Sequence, residues 1–300
     1  MSDAFLAVVN PAAGGGRCRK LVGCALARLR AGGIKMDAVE TSGPGQGTAL
    51  ARDAYDRGYR KFIAVGGDGT AYEIVNGLFP RAESGEPPTL AFLPLGTGNS
   101  FLRDFTDRGA EHAVEALLAG RSQPCDVLRL RHTQGVLHYI NLLAMGFAAD
   151  VATLRARRFS AWGELGYQSS IFISLARFRR RPFPLQVDGQ GEVDRRPCLF
   201  LTFNNSKFTG GTMMIAPKAE VSDGLIEYVR WGPIGRIGLI RNLPTLYDGT
   251  HIHHPLAERR AAKRIDFHLD APIDVMVDGE VLTLQCQTLD VLPSALSVVV

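Results

Sequence analysis

Along its first third the chain alternates short apolar runs with glycine-rich breaks. Phe5–Val9 is apolar and ends at Asn10-Pro11-Ala12-Ala13-Gly14-Gly15-Gly16. From Arg17 to Arg30 the period becomes helical, with Leu21, Cys24, Ala25 and Leu29 on one face, until Gly32-Gly33 stops it. Ile34–Thr41 predicts a second strand, Gly45–Arg57 a helix closed by Gly58, and Lys61–Val65 a third strand. Gly66-Gly67-Asp68-Gly69-Thr70 follows, then a helix to about Phe79. Leu90–Leu93 is a fourth strand, followed by the loop Pro94-Leu95-Gly96-Thr97-Gly98-Asn99-Ser100. Strand, glycine loop and helix in repetition predict a Rossmann-like α/β domain with a mostly parallel sheet.

After about Cys125 the rhythm changes. Asp126–Arg131, Val136–Leu143, Leu185–Asp188, Cys198–Asn204, Gly224–Arg230, Arg264–Leu269 and Ile273–Val277 all read as strands. Glu164–Arg180 is the one strongly helical stretch, with a weaker candidate at Ile234–Leu246. This predicts a β-rich sandwich of antiparallel strands. The expected division is an α/β domain over 1–129 and a β-rich domain over 130–295. Residues from about 295 to 300 are expected to return to the first domain, and the active site to lie in the cleft between the two.

Composition narrows the function. Of 300 residues, 46% are apolar, too many for a disordered chain. A net charge of +4 is too small to argue for a nucleic-acid partner. Five scattered cysteines without a C-x-x-C pair point to a reduced, cytoplasmic compartment. The N-terminus lacks the basic region of a signal peptide. No run reaches the ~18 apolar residues of a membrane span.

The candidate chemistry sits in the glycine loops. Gly66-Gly67-Asp68-Gly69-Thr70 lets backbone approach a polyanion, and the helix behind it offers unpaired N–H groups. An aspartate there would repel phosphate directly, so Asp68 is expected to act through Mg²⁺ or an ordered water. A plain βα turn would need only two of those glycines. The P-loop pattern is absent, and no G-x-G-x-x-G follows the first strand.

GGDGT resembles the loop shared by diacylglycerol kinases, sphingosine kinases, NAD kinases and phosphofructokinases. The rest of the chain resembles the lipid-kinase branch with a diacylglycerol kinase catalytic domain. Asn10-Pro11 with Gly14 is similar to its N-P-x-x-G opening, and Thr41 to its Ser or Thr after the second strand. Pro94–Asn99 is similar to its P-x-G-T/S-x-N loop, and Asn205–Lys218 to its N…GG…A-P segment. Val221–Leu225 is similar to its x-D-D-G-x-L turn, and Val277-Asp278-Gly279-Glu280 to its V/L-D-G-E. The matches run in order from residue 10 to residue 280.

The resemblance implies that residues 1–129 form a nucleotide-binding α/β kinase domain and residues 130–295 a β-rich lipid-binding domain. Asn10, Pro11, Gly14, Thr41, Gly66, Gly67, Gly69, Thr70, Glu73, Gly96, Thr97, Gly98 and Asn99 would line the ATP site, with Asp68 organising catalytic Mg²⁺. Glu280 is the expected proton acceptor, with Asp278 a close second and Asp68 a third candidate. Asp223, with main-chain oxygens of Glu220 and Leu225, would match a structural Mg²⁺ site. One position departs: many bacterial members carry Asp after the Asn of G-T-x-N, and this chain has Ser100. Sphingoid and ceramide kinases also lack that Asp, so the lipid acceptor stays open.

Basic residues gather in one place. Residues 151–181 hold seven Arg and one acid, Glu164, a charge of +6 that leaves the remainder at −2. Tyr167, Ile171, Leu175 and Phe178 form an apolar stripe there. Arg177, Arg179, Arg180 and Arg181 are expected to face an anionic membrane, although part of this set complements a helix dipole. Codon bias explains the choice of Arg over Lys, not its placement. His251, His253 and His254 fit no closed zinc site and read as a solvated loop. Met213-Met214 and Trp231 read as core; Trp162 is either core or an interfacial anchor.

Together these features predict an ATP- and Mg²⁺-dependent lipid kinase, peripheral at the cytoplasmic membrane face. Its acceptor would be a hydroxyl of diacylglycerol, a sphingoid base or ceramide. One alternative is a soluble NAD kinase-like enzyme, although Asn76 is followed by Gly77 where NAD kinases carry N-E. Another is a nucleotide-sensing pseudokinase, which intact Asp68, Asp278 and Glu280 argue against. The oligomeric state is open, a homodimer included.

Overall fold

The computed structural model describes residues 2–96, 99–158, 173 and 179–300. Four parallel strands open the chain: β1 (Ser2–Val9), β2 (Met36–Glu40), β3 (Tyr59–Gly66) and β4 (Thr89–Pro94). They lie in the order β2-β1-β3-β4. Crossovers run through α1 (Arg17–Ala31), α2 (Gln46–Asp56) and α3 (Asp68–Leu78). A further helix, α4 (Ala110–Ala119), had no counterpart in the sequence reading.

Strand alternation explains the layers. Leu6, Val8, Phe62, Ala64, Leu90 and Phe92 pack against Ala51, Ala54, Ile74 and Val75 of α2 and α3. Ala7, Val9, Ile63, Val65, Ala91 and Leu93 point the other way, onto Leu26 and Leu29 of α1 and Val114 and Leu117 of α4. With both faces covered, the strands need continuous apolar runs, and that is what the sequence carries.

The last strand, Cys286–Val299, joins the two halves. Its end, Ser297–Val299, pairs parallel with β4, while its length pairs antiparallel with β5 (Ser122–His132). Its 14 residues were not expected as one strand, because polar positions and Pro293 interrupt the pattern. β5 leads into β6 (Gly135–Tyr139), then into β7 (Leu142–Gly146). Here the expected single strand Val136–Leu143 is corrected. β6 stays beside β5, whereas β7 enters a second, antiparallel sheet between Phe200–Asn204 and Ile273–Val277. The break falls at Ile140-Asn141, where a polar residue interrupts the apolar run.

The two sheets face each other across Leu128, Leu130, Leu137 and Tyr139 on one side and Leu143, Met145, Phe203 and Tyr228 on the other. The outer face of the second sheet is covered by Ile215, Ile234, Leu239 and Leu246 around the fully buried Trp231. The solvated-loop reading of the histidines is corrected for His251, which is 1% exposed. Its Nε2 lies 3.0 Å from Ile215 O and its Nδ1 3.3 Å from Thr245 O, and its ring packs on Trp231, so backbone carbonyls meet its polar atoms inside an otherwise apolar layer. Burial holds its pKa below the ordinary value. The expected helix Glu164–Arg180 and Trp162 fall outside the described residues, apart from Ile173 and residues 179–180. No helix among the described residues is long and apolar enough to cross a membrane.

Candidate active site

Three loops at the ends of the parallel strands form the first wall. β3 ends at Gly66, and α3 starts at Asp68 with Gly67 as an extended N-cap. The Gly96 N–H donates to Gly66 O at 2.8 Å. A Cβ on Gly96 would stand 3.0 Å from that oxygen, and one on Gly66 would strike Thr70 Oγ1. The Asn10 N–H donates to Val65 O at 2.9 Å, and the Thr41 N–H to Val9 O at 2.8 Å. Asn10 Oδ1 in turn accepts the Ala12 N–H and shapes the turn that contains Pro11. Gly14 is left-handed, and a Cβ there would meet Leu95 O at 3.2 Å. The spacing of these glycines is thus set by loops that touch backbone to backbone.

Glu73 is already engaged by backbone amides. Its carboxylate accepts the N–H groups of Gly45 and Gly47, each at 2.7 Å, and caps the start of α2. Thr97 and Gly98 lie outside the described residues, while Asn99 borders them half-buried.

Two observations test the fit of a phosphate-bearing ligand. Thr70 Oγ1 is buried without a hydrogen-bond partner. Gly15 and Gly16, both left-handed at the start of α1, have open space where side chains would be. Helix starts with open backbone and an orphan hydroxyl suit phosphate oxygens. Among the described residues, no group of three or more His, Cys, Asp or Glu side chains is placed to hold a metal. Mg²⁺ would therefore be held mainly by phosphate oxygens and water with Asp68, the mode in which this ion is commonly bound.

The acids come from both walls, Asp68 from the first and Asp278 and Glu280 from the second. Asp68 accepts the Ser100 N–H at 2.9 Å, and burial raises its pKa against the pull of Ser100. Ser100, 3% exposed, also accepts the Gly211 N–H on its Oγ at 3.0 Å. Asp278 sits in the left-handed region at φ 48° and is 4% exposed. Its carboxylate accepts three amides from the turn between β6 and β7: Ile140 at 3.1 Å, Asn141 at 3.1 Å and Leu142 at 2.9 Å. Burial nonetheless pushes Asp278 up to about 7, with the Asp68 charge adding to it. Glu280 is exposed, and its carboxylate has no hydrogen-bond partner among the described residues. Desolvation at the cleft wall, then the Glu73 charge, lift its carboxyl above the usual range. Its Oε1 would lie 2.9 Å from a Cβ on Gly69. The glycine loop and the D-G-E turn, 211 positions apart in sequence, are thereby in contact.

One participant, Asp104, went unpredicted. Asp104 accepts the Lys207 N–H at 3.1 Å and is raised to about 6 by burial. Asn205 donates from Nδ2 to Asp126 O and Ile140 O, which ties β5 to the turn that holds Asp278. The polar break at Asn141 was the available signal for that turn. Asp126 is fully buried and accepts the N–H groups of Gly224 at 2.6 Å and Ser294 at 2.7 Å. Asp223 accepts the Leu225 N–H at 2.9 Å and is exposed, as is Glu220. Burial first, then Asp126 and Glu220, raise the Asp223 carboxyl. Arg179 and Arg180 are exposed, Arg181 pairs with Asp150, and Arg177 lies outside the described residues.

The site combines a phosphate cradle on a parallel α/β layer with acids on a β sandwich, which is the layout of a kinase. The family of the diacylglycerol kinase catalytic domain matches residues 4–130, and that of the YegS C-terminal NAD kinase beta sandwich-like domain matches residues 141–300. The chain belongs to the lipid kinase family built from these two parts. It is 29% identical to a diacylglycerol kinase of Mycobacterium tuberculosis over 299 residues, covering 97% of this chain and 93% of that one. It is 27% identical to a diacylglycerol kinase of Staphylococcus aureus, covering 91% and 84%. A solved chain from Bacillus anthracis has the same fold, with a TM-score of 0.79 at 21% identity over 99% of this chain and 95% of that one.

Proposed function

We propose that this enzyme transfers the γ-phosphoryl group of ATP to a hydroxyl of a membrane lipid, with Glu280 as the proton acceptor. The contact of Glu280 with Gly69 carries this reading, because it puts an unpartnered carboxylate against the loop that would hold the phosphates. Bound Mg²⁺–ATP supplies the phosphoryl donor and offsets charge on the phosphates. The backbone of Gly14–Gly16 and Gly66–Thr70 binds phosphate oxygens, and the Thr70 hydroxyl gains its missing partner. Ser100 orients Asp68 toward the cradle. Asp278 is occupied by three amides, so it holds the D-G-E turn in place, and Glu280 takes the proton of the attacking hydroxyl.

Diacylglycerol is the first acceptor proposed, by similarity to relatives of that name. A sphingoid base or ceramide is the second, favoured by Ser100 where many bacterial members have Asp. A peripheral position on the cytoplasmic membrane face follows from either substrate. Glu280→Gln should lower kcat by about 100-fold or more while ATP binding persists. Retained turnover would remove Glu280 as the base.

A further inference from the structure

A lipid kinase must meet a bilayer, and among the described residues the most exposed large apolar side chains stand beside cations. The largest apolar exposures there are Ile237 at 68% and Ile240 at 51%, followed by Tyr247 at 50%. Ile237 and Ile240 stand on the short helix Arg236–Asn242. At 100° per residue, Arg236, Ile240, Ile237 and Arg241 follow one another across an arc of about 140°. The two isoleucines thus form the centre of one face and the two arginines its flanks. Leu239 points the opposite way and is 1% exposed, anchored in the layer over Trp231 with Ile234 and Leu246. The face is therefore fixed outward by its own buried root.

Charge on the helix and its immediate flanks has one sign, the next acid being the exposed Asp248. From Gly232 to Tyr247 there is no acidic residue. The Arg180 guanidinium approaches this helix, with Nη2 3.6 Å from where a Gly235 Cβ would be. Arg179 is exposed beside it in sequence. Apolar side chains rimmed by arginine suit the headgroup–acyl boundary of an anionic bilayer: the isoleucines enter, and the guanidinium groups meet phosphate. An obligate protein partner would instead call for a wider apolar area than two isoleucines provide.

We propose that the outer face of the Arg236–Asn242 helix docks the enzyme onto an anionic lipid surface, with Ile237 and Ile240 inserting. This rests on the lipid kinase reading and adds the surface that delivers the substrate. The test compares wild type with Ile237→Asp/Ile240→Asp and with Arg236→Gln/Arg241→Gln. Vesicles of phosphatidylcholine with phosphatidylglycerol are set against pure phosphatidylcholine in sedimentation. Kinase activity is read both on vesicle lipid and on a monodisperse short-chain lipid. Each double variant should bind anionic vesicles about ten-fold more weakly or worse and lose vesicle activity in proportion. Activity on the short-chain lipid should stay within about two-fold, because the altered side chains lie outside the site and are exposed. Unchanged vesicle binding and activity in both variants would overturn the proposal. So would a change from dimer to monomer in light scattering with vesicle activity intact, which would make this face a contact between copies. Wild type that phosphorylates no lipid, with vesicle binding still lost in the variants, would leave the docking face standing and overturn the proposed function instead.

Discussion

Glu280 and Gly69 touch across the cleft: Glu280 Oε1 is 2.9 Å from where a Cβ of residue 69 would stand. A methyl group there would push away the end of a flexible side chain at little structural cost. Gly69→Ala should therefore keep the melting temperature within a few degrees and lower kcat by about 10- to 100-fold, since misplacement by ~1 Å costs that much. Steady-state kinetics beside thermal unfolding check this; an unchanged kcat would separate Glu280 from the reaction.

Ser100 links Asp68 to Gly211, accepting the Gly211 N–H while donating its own N–H to the Asp68 carboxylate. Ser100→Ala leaves a part-buried amide without its partner and should cost about 1–3 kcal/mol in denaturant unfolding. It should also lower kcat more than it raises KM for ATP, because the lost hydroxyl itself hydrogen-bonds the Asp68 carboxyl and lowers its pKa, while the backbone N–H bond to Asp68 stays.

Glu73 separates capping from nucleotide binding. Its carboxylate accepts two amides at the start of α2. Glu73→Gln should lose about 1 kcal/mol of stability with KM for ATP within about two-fold of wild type. A large rise in KM at unchanged stability would instead assign Glu73 to the nucleotide, as the family resemblance implies.

Asp278 predicts a pH dependence. Its folded pKa is raised to about 7 by burial, above the ~3.9 of an unfolded aspartate. The native state then binds more protons between those values, so this group's contribution to stability falls as pH rises from about 4 to 7. Asparagine tolerates the left-handed backbone at this position. Asp278→Asn should be less stable overall, having lost an acceptor for the turn amides, and should show a flatter slope in that window. Melting curves at a series of pH values in EDTA measure both effects.

The parallel layer was legible because buried strands need apolar runs and phosphate loops need glycine, and both are local patterns. Asp278 and Glu280 were legible through the D-G-E resemblance, and Ser100 through its departure from the family pattern. The amides that hold Asp278 were not, because they come from a turn hidden in an apolar run that looked continuous from Val136 to Leu143. His251 was misread because exposure of a lone polar residue depends on what the fold places above it, here Ile215 and Trp231. The return of about 295–300 to the first domain was among the expectations, but the run of Cys286–Val299 as one strand along β5 was hidden, because β5 lies more than 150 positions away in sequence.

The central claim is tested most directly by incubating the purified enzyme with γ-labelled ATP, Mg²⁺ and separate mixed micelles of diacylglycerol, sphingoid base or ceramide. NAD serves as the soluble comparison. The account predicts label in a lipid product extracted into organic solvent, dependent on Glu280. Label in NAD alone, with no lipid phosphorylated, would contradict it.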